Sequence, residues 1–331
     1  MKKIAIIGAG LAGITVANLL KDYAEVKIFE KSKGPGGRMS TRRRDNYSFD
    51  HGAQYFTARE EPFQKFIQPL IEQGVIEIWN ARYAKFDGTN IISASSMSSQ
   101  EPRYVGVPGM NNILKFLAQG LKIDTGKKIV SLSRTSQDGK WQLTDEQKHQ
   151  YSDFDWVICT APSPQCLEII PKSFKYFSDV QSCEMQSCFS LMLGFKNSFT
   201  LEFESAHVIN SDISWIAVNS HKPKRSDYFS LVIHSSEDYA RAHIDDDFEN
   251  VKQHLIKETS RVIGFDVSIA DHQDVHRWKY SSGSIKSKNS DVFLDAKNCL
   301  AVCGDWCVGG RVEGAFISAY NLVSEIKELI I

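Results

Sequence analysis

The chemistry in this sequence starts from a glycine loop and a carboxylate. Gly8-Ala9-Gly10-Leu11-Ala12-Gly13 fits G-x-G-x-x-G, follows the β-rich run Ile4 to Ile7 and opens a helical stretch, Leu11 to Tyr23. Gly8 permits a tight turn, Gly10 lets the backbone approach a pyrophosphate, and Gly13 lets the helix pack closely on the strand. The helix N-terminus at Leu11 and Ala12 adds free N–H groups and a positive dipole end. Glu30 closes the next strand-like run, Glu25 to Glu30, about 20 residues on. A carboxylate there accepts hydrogen bonds from a ribose 2′-hydroxyl and repels a 2′-phosphate. A glycine cluster that only packs a helix is the plainer alternative, and the strand–loop–helix context with Glu30 favours the nucleotide. FAD and NAD both satisfy these residues.

The next segment, Lys31 to Arg44, is rich in glycine and arginine. Gly36-Gly37 permits close backbone approach, and the Arg38 guanidinium suits bidentate contact with phosphate. Arg42-Arg43-Arg44 reads as a solvated basic loop. Lys31 to Arg42, with Gly36-Gly37-Arg38-Met39 at its centre, resembles the G-G-R loop that follows the ribose acid in flavin-containing amine-oxidase-like proteins. Asp50-His51-Gly52-Ala53-Gln54-Tyr55-Phe56 is similar to the stretch that passes beside the flavin ring in that group. Cys303-Gly304-Asp305-Trp306-Cys307-Val308-Gly309-Gly310-Arg311-Val312-Glu313-Gly314-Ala315 is similar to its second FAD motif. With Leu231 to His234 and Arg277 to Tyr280 in agreement, the chain looks most like the renalase-like branch.

That resemblance implies a non-covalently bound FAD. It places cofactor contacts at Gly8, Gly10, Leu11, Ala12, Gly13, Glu30 and Lys31, then at Gly37, Arg38, Met39, Ala53, Gln54 and Tyr55. Val130 and Thr160 join them, the latter in Val157 to Pro162, similar to the strand that leaves the nucleotide domain. The C-terminal contacts are Gly304, Asp305, Arg311, Val312, Glu313 and Ala315. The helix from Val312 would aim its positive end at the flavin N1 and C2 oxygen, which gain negative charge on reduction.

The resemblance also implies a substrate. Typical flavin amine oxidases carry an aromatic residue before the x-Glu-Gly-Ala turn, as half of a cage beside the flavin; this chain has Arg311. A guanidinium repels an ammonium and favours an anion, an amide oxygen or a carbonyl. This departure supports the renalase-like reading: oxidation of isomeric dihydronicotinamide dinucleotides by hydride transfer to flavin, with O2 reduced to H2O2. Gln54, Tyr55, His234, Trp278 and Arg311 are expected to line the substrate pocket, without individual roles. A flavin amine or amino-acid oxidase and a non-catalytic FAD-binding protein are the alternatives.

These residues need an α/β scaffold. The expected fold is a Rossmann-type FAD-binding domain with a β-rich substrate domain, as in the p-hydroxybenzoate-hydroxylase and amine-oxidase-like two-domain architecture. The FAD-binding domain is expected over 1–60, 105–165 and 275–331, and the substrate domain over 61–104 and 166–274. Strand-like stretches are read at Phe49 to Phe56, Trp156 to Thr160, Cys188 to Phe195, Trp215 to Val218, Tyr228 to His234 and Cys299 to Cys303. Helices are read at Glu61 to Gly74, Asn111 to Leu121, Asp247 to Ile263 and Val312 to Leu329. Asp138-Gly139 is a strong turn signal between Lys127 to Arg134 and Trp141 to Thr144. Residues 80 to 104, with Ser93, Ser95, Ser96, Ser98 and Ser99, read as strands and loops.

Composition narrows the rest. At 331 residues the chain exceeds one compact core. Its 42% hydrophobic and 24% charged content is that of a globular protein, and a net charge of −1 gives no bulk attraction to nucleic acid or anionic membrane. Met1 to Leu20 has the outline of a signal peptide, but its glycines sit at nucleotide-loop spacing. No apolar run reaches the ~20 residues of a membrane span. Seven cysteines without a C-x-x-C pair argue against a disulfide framework or a metal site and for a cytoplasmic location. Cys303 and Cys307 read as packing residues, and the nine histidines show no metal spacing.

Overall fold

The computed structural model describes residues 1–96, 101–136, 138–285 and 292–331. They divide into two compact units, one of Met1–Gly37, Leu114–Met185 and Ser282–Ile331, the other of Arg38–Ile113 and Gln186–Ser281.

The first unit is built on a six-stranded sheet in the order Phe293–Asp295, Leu300–Val302, Trp156–Cys159, Lys3–Ile7, Glu25–Glu30, Ile123–Thr125. All neighbours are parallel except the edge strand Phe293–Asp295. The apolar runs Ile4-Ala5-Ile6-Ile7 and Trp156-Val157-Ile158-Cys159 suit strands buried on both faces. The helix Leu11–Leu20 follows the first strand at once and is buried along nearly its whole length. It ends three residues before Tyr23, where the chain tightens through a Tyr23 N–H to Leu20 carbonyl bond of 2.9 Å. The hairpin expected around Asp138-Gly139 forms between Ile129–Arg134 and Trp141–Asp145, with Gly139 at φ +68°.

The second unit holds a seven-stranded sheet in the order His272–Ile285, Cys183–Phe195, Phe229–Ser235, Ile213–Val218, Ser205–Ile209, Arg82–Asp87, Asn90–Ser96. Alternation along the strands separates two faces. Leu191, Leu193, Ile216, Val218, Leu231 and Ile233 form a core with Val251, Leu255, Ile256 and Val262 of the helix Phe248–Ile263. Asp247 caps that helix by accepting N–H bonds from Glu249 and Asn250, and Gly264 at φ +69° ends it. On the other face Met192 and Val232 pack against Tyr47 and Phe49. That packing draws the chain after Gly37 into this unit, whereas the sequence suggested a boundary near residue 60.

Three local readings change. Phe49 to Phe56 is not one strand: the strand Tyr47–Phe49 stops where Gln54 Nε2 donates to the carbonyls of Asp50 (2.5 Å) and Gly52 (3.0 Å), which removes both from any ladder. Arg42–Arg44 is not a loop but a strand, paired with Tyr47–Phe49. Arg43 and Arg44 are exposed, but Arg42 is partly buried, with Nη1 at 2.8 Å from Asp274. The helix beginning at Asn111 ends at Leu117, short of Leu121. Ser93, Ser95 and Ser96 lie on Asn90–Ser96, whereas Ser98 and Ser99 fall outside the described residues.

Candidate functional site

In the first unit the glycine loop is held in a cradle. A Cβ on Gly13 would lie 2.0 Å from the Gly8 carbonyl oxygen, so helix and strand meet at a distance only glycine allows. The Thr160 hydroxyl bridges the carbonyls of Ile7 (2.9 Å) and Gly8 (3.2 Å) and pins the loop from the neighbouring strand. The buried Glu30 carboxylate accepts N–H bonds from Ala9 (2.8 Å) on one oxygen and Ser32 (2.7 Å) on the other. Each oxygen keeps acceptor capacity for a ribose hydroxyl. Gly36 donates to the Ala9 carbonyl at 3.1 Å, and a Cβ on Gly37 would lie 3.3 Å from Gly10 Cα, so the second glycine pair lies on the first loop. A Cβ on Gly10 would meet nothing within 4 Å, which leaves that side open at the helix N-terminus. Side-chain-free backbone, helix N–H groups and a ribose acid suit a dinucleotide pyrophosphate.

The C-terminal motif belongs to the same unit. Gly304 donates to Ser318 Oγ at 3.1 Å, and the buried Trp306 ring reaches the Ala161 carbonyl through Nε1 at 3.1 Å. Asp305 is buried, and its carbonyl accepts from Val308 (3.0 Å) and Gly310 (2.9 Å) in the turn that starts the helix Val312–Ile330. Arg311 is the N-cap residue of that helix, extended and exposed; its carbonyl accepts from the Ala315 N–H at 3.1 Å and its side chain makes no capping bond.

The second unit carries a buried polar cluster. The Asp50 side chain has no exposure, and its Oδ2 lies 2.6 Å from Arg225 Nη2 and 3.4 Å from Lys222 Nζ, both equally buried. Its other oxygen accepts from Thr41 Oγ1 (2.7 Å) and the Met110 N–H (3.0 Å). Burial disfavours the Asp50 carboxylate, but Lys222, Arg225 and the Met110 N–H outweigh it and hold its pKa at about 2. Burial lowers Lys222 to about 8 against the pull of Asp50. Lys222 Nζ also donates to Gln54 Oε1 at 3.1 Å, and Gln54 Nε2 faces His234 Nε2 at 3.3 Å. Burial and the Lys222 charge push His234 down to about 4, so its ring is neutral near pH 7.

Next to this chain His51 stacks on Trp278 at 5.2 Å and meets His276 edge-on at 4.9 Å. The Trp278 indole N–H donates to the His51 carbonyl at 2.8 Å. Burial, with His276 and Arg42, brings His51 to about 3, and burial with Arg42 brings His276 to about 4. The result is a set of neutral imidazoles and aromatic faces beside the Asp50 carboxylate, held by two cations, with Asp274 paired to Arg42. It suits binding and orienting a flat polar ring, and Asp50 is not free to take a proton.

Comparison with known proteins identifies the family. The profile of the NAD(P)-binding Rossmann-like domain matches residues 6–70, and that of the flavin containing amine oxidoreductases matches residues 72–327. The chain belongs to the flavin containing amine oxidoreductase family. Renalase of Mus musculus is 22% identical over 354 residues that cover 100% of both chains. Coproporphyrinogen III oxidase of Staphylococcus aureus is 33% identical over 79 residues, 23% of this chain and 17% of that one. Among solved structures, a candidate protoporphyrinogen oxidase from Exiguobacterium sp. 255-15 gives a TM-score of 0.79 at 11% identity over 99% of each chain. A redesigned putrescine oxidase gives 0.73 at 11% identity, over 98% of this chain and 99% of that one.

This flavin amine oxidoreductase is renalase-like along its whole length, and its cofactor is FAD. The cradle of Gly8, Gly10, Gly13, Glu30 and Gly37 fits the dinucleotide, with Leu11 and Ala12 at the helix N-terminus. Thr160 serves by bracing the loop. Lys31 is exposed and donates to Gln165 at 3.0 Å, and Val130 is exposed on Ile129–Arg134. Val312, Glu313 and Ala315 form the first turn of the last helix. Arg38 and Met39 lie in a short 3-10 turn, where Arg38 Nη1 donates to the Ser281 carbonyl (3.2 Å) and the Arg38 carbonyl accepts from Ala53 (2.8 Å). Gln54, Tyr55, His234 and Trp278 all belong to the second unit, and the Gln54 amide bridges Lys222 and His234.

Asp50, His51, Lys222, Arg225 and His276 were not singled out as site residues. Asp50 and His51 lie in the motif beside Gln54, the one signal that could have found them. Lys222 and Arg225 sit in a His-Lys-Pro-Lys-Arg stretch that reads as a solvated basic run, about 170 positions from their partner. Cys303 and Cys307 are buried free thiols whose pKa values burial raises, as packing cysteines have.

Proposed function

We propose that this FAD-dependent oxidoreductase oxidises isomeric dihydronicotinamide dinucleotides, off-pathway isomers of NAD(P)H, and that Gln54, Tyr55, His234, Trp278 and Arg311 bind the substrate. FAD supplies the hydride acceptor for this reaction, with O2 as the terminal oxidant reduced to H2O2. A dihydropyridine is already a hydride donor, driven by restored aromaticity, so the chain's task is to bind, orient and exclude. The observation that carries the reading is the sign and state of charge beside His234. Asp50 is committed to Lys222 and Arg225, which leaves the buried cluster with a surplus positive charge. An ammonium substrate finds no free carboxylate there, whereas a carboxamide oxygen or a phosphate finds favourable potential. His234, neutral and held by Gln54, suits a hydrogen bond to a neutral ring substituent. The whole-length similarity to renalase supports the same reading.

The test is an anaerobic titration of the yellow holoenzyme with isomeric dihydronicotinamide dinucleotides, ordinary NADH, NADPH and a panel of amines. The isomers should bleach the oxidised-flavin band at stoichiometric amounts while amines leave it unchanged. Bleaching by amines alone would establish an amine oxidase. A flavin reduced by dithionite but by none of the panel would establish a non-catalytic role.

A further inference from the structure

The second unit holds another charged group, made of Arg42, Asp274 and His276. Asp274 and His276 lie two residues apart on the strand His272–Ile285 and stand on one sheet face, since the intervening Val275 belongs to the core on the other side. The strand Arg42–Arg44, paired with Tyr47–Phe49, brings the Arg42 fork to both of them. Its Nη1 lies 2.8 Å from Asp274 Oδ2, and its Nη2 lies 3.0 Å from His276 Nδ1. The His276 ring in turn meets Trp278 edge-on at 4.4 Å and His51 at 4.9 Å, and His51 stacks on Trp278.

A guanidinium only donates, and it stays charged at every accessible pH. The His276 nitrogen that faces it must therefore accept; a flipped ring would set a carbon against the donor. Burial and the Arg42 charge lower the His276 pKa to about 4, against the pull of Asp274, so the ring is neutral near pH 7. A neutral imidazole with a bare Nδ1 carries its proton on Nε2. That Nε2 makes no hydrogen bond among the described residues, and it is not one of the buried unpaired nitrogens, as His272 Nε2 is. Such an N–H donates and cannot accept. With Nδ1 taken by the guanidinium, the ring has no lone pair left to receive a proton from an amine. Asp274 balances the Arg42 charge, so the arrangement adds no net charge to the aromatic wall.

We propose that Arg42 is a positioning residue of the substrate site, holding His276 in the tautomer whose proton sits on Nε2. Asp274 anchors the guanidinium, and His276 carries the arrangement to the rings of Trp278 and His51 that it touches. The wall beside Trp278 then offers one fixed donor and no base. A carboxamide or carbonyl oxygen can use that donor, whereas an ammonium finds nothing on His276 to deprotonate it. This rests on the dihydronicotinamide reading above. It deepens that reading by making an arginine of the basic run Arg42 to Arg44 the group that selects the imidazole's state.

The experiment has two arms on FAD-loaded protein. In the first, isotope-labelled histidine is followed by long-range proton–nitrogen NMR, and the His276 ring is assigned by its loss in His276→Phe. The parent should show a protonated Nε2 and a bare Nδ1 from neutral pH down to about 5.5. In Arg42→Met the two neutral tautomers should interconvert, and the ring should protonate about one pH unit or more higher. The double variant Arg42→Met, Asp274→Asn removes the ion pair as a whole and serves if Arg42→Met fails to fold. In the second arm, stopped-flow flavin reduction by a dihydronicotinamide dinucleotide isomer is followed across pH. The parent rate should be level between about pH 5.5 and 7.5, whereas Arg42→Met should lose rate as the pH falls through about 6. Adding His276→Phe should abolish that new acid limb. A proton on His276 Nδ1 in the parent, or the same His276 spectrum in Arg42→Met, would overturn the lock. A changed tautomer without a new acid limb, or a limb that survives His276→Phe, would overturn its role at the site. The expected spectra with no flavin reduction by any isomer would leave the lock standing and remove the substrate reading.

Discussion

The Lys222 ammonium lies 3.1 Å from the side-chain oxygen of Gln54, whose amide nitrogen in turn faces His234. An ammonium only donates, so the amide presents its oxygen to Lys222, and its NH2, which donates to the carbonyls of Asp50 and Gly52, lies 3.3 Å from His234 Nε2. Burial and the Lys222 charge keep this imidazole neutral near pH 7.

Flavin reduction in the parent protein should show no histidine inflection between about pH 5.5 and 7.5, because His234 protonates only near 4 and its usual value is 6.5. In Lys222→Met the repelling charge is gone, and the His234 pKa should move up toward its usual value. The acid-side loss of rate should then appear at higher pH. Stopped-flow reduction across pH distinguishes this from a purely structural role of Lys222, which would lower the rate equally at every pH.

Asp50→Asn should destabilise the protein by about 3–5 kcal/mol, because it leaves two buried cations without their anion. Removing one of them in the double variant Asp50→Asn, Lys222→Met should restore part of the loss. The folded-state pKa of Asp50 is depressed from 3.8 to about 2, so its contribution is full above about pH 4 and lost as the pH falls through 2. Urea midpoints of the three proteins at neutral pH provide the check.

Glu30→Ala should weaken FAD binding by roughly 1.5–3 kcal/mol, ten- to a hundredfold, without abolishing the fold. The variant loses the ribose acceptor and frees the buried Ala9 N–H. Fluorescence titration of apoprotein with FAD measures it, and an unchanged Kd would remove Glu30 from the cofactor site. FAD should also leave the parent protein on acid denaturation; flavin retained by the precipitate would show a covalent link.

Arg311→Tyr should lower oxidation of dihydronicotinamide isomers and introduce weak reactivity toward amines. The exposed guanidinium precedes the last helix where amine oxidases carry an aromatic ring. Unchanged flavin reduction rates and substrate preference would place Arg311 in bulk solvent and outside the site.

The nucleotide half of this protein was legible in its sequence because its determinants are local. Gly8 to Gly13, Glu30, and the motif from Gly304 to Ala315 are each short segments whose backbone geometry follows from glycine placement and strand–helix alternation. The second unit is different. The sequence showed that it is β-rich, and by family resemblance it led to the expectation that Gln54, Tyr55, His234, Trp278 and Arg311 line the substrate pocket, but it did not tell what surrounds them. Tertiary structure decided that Lys222 and Arg225 turn inward to Asp50, since a basic run is solvated by default and only a distant buried carboxylate reverses that. It also decided that Arg42 meets Asp274, that 50–55 leaves the sheet under the Gln54 amide, and that Trp215 and Lys85 share one sheet face. Periodicity fixes which residues of a strand lie on a common side. Strand order and register, set by packing of the whole chain, determine which side chains from distant segments meet there.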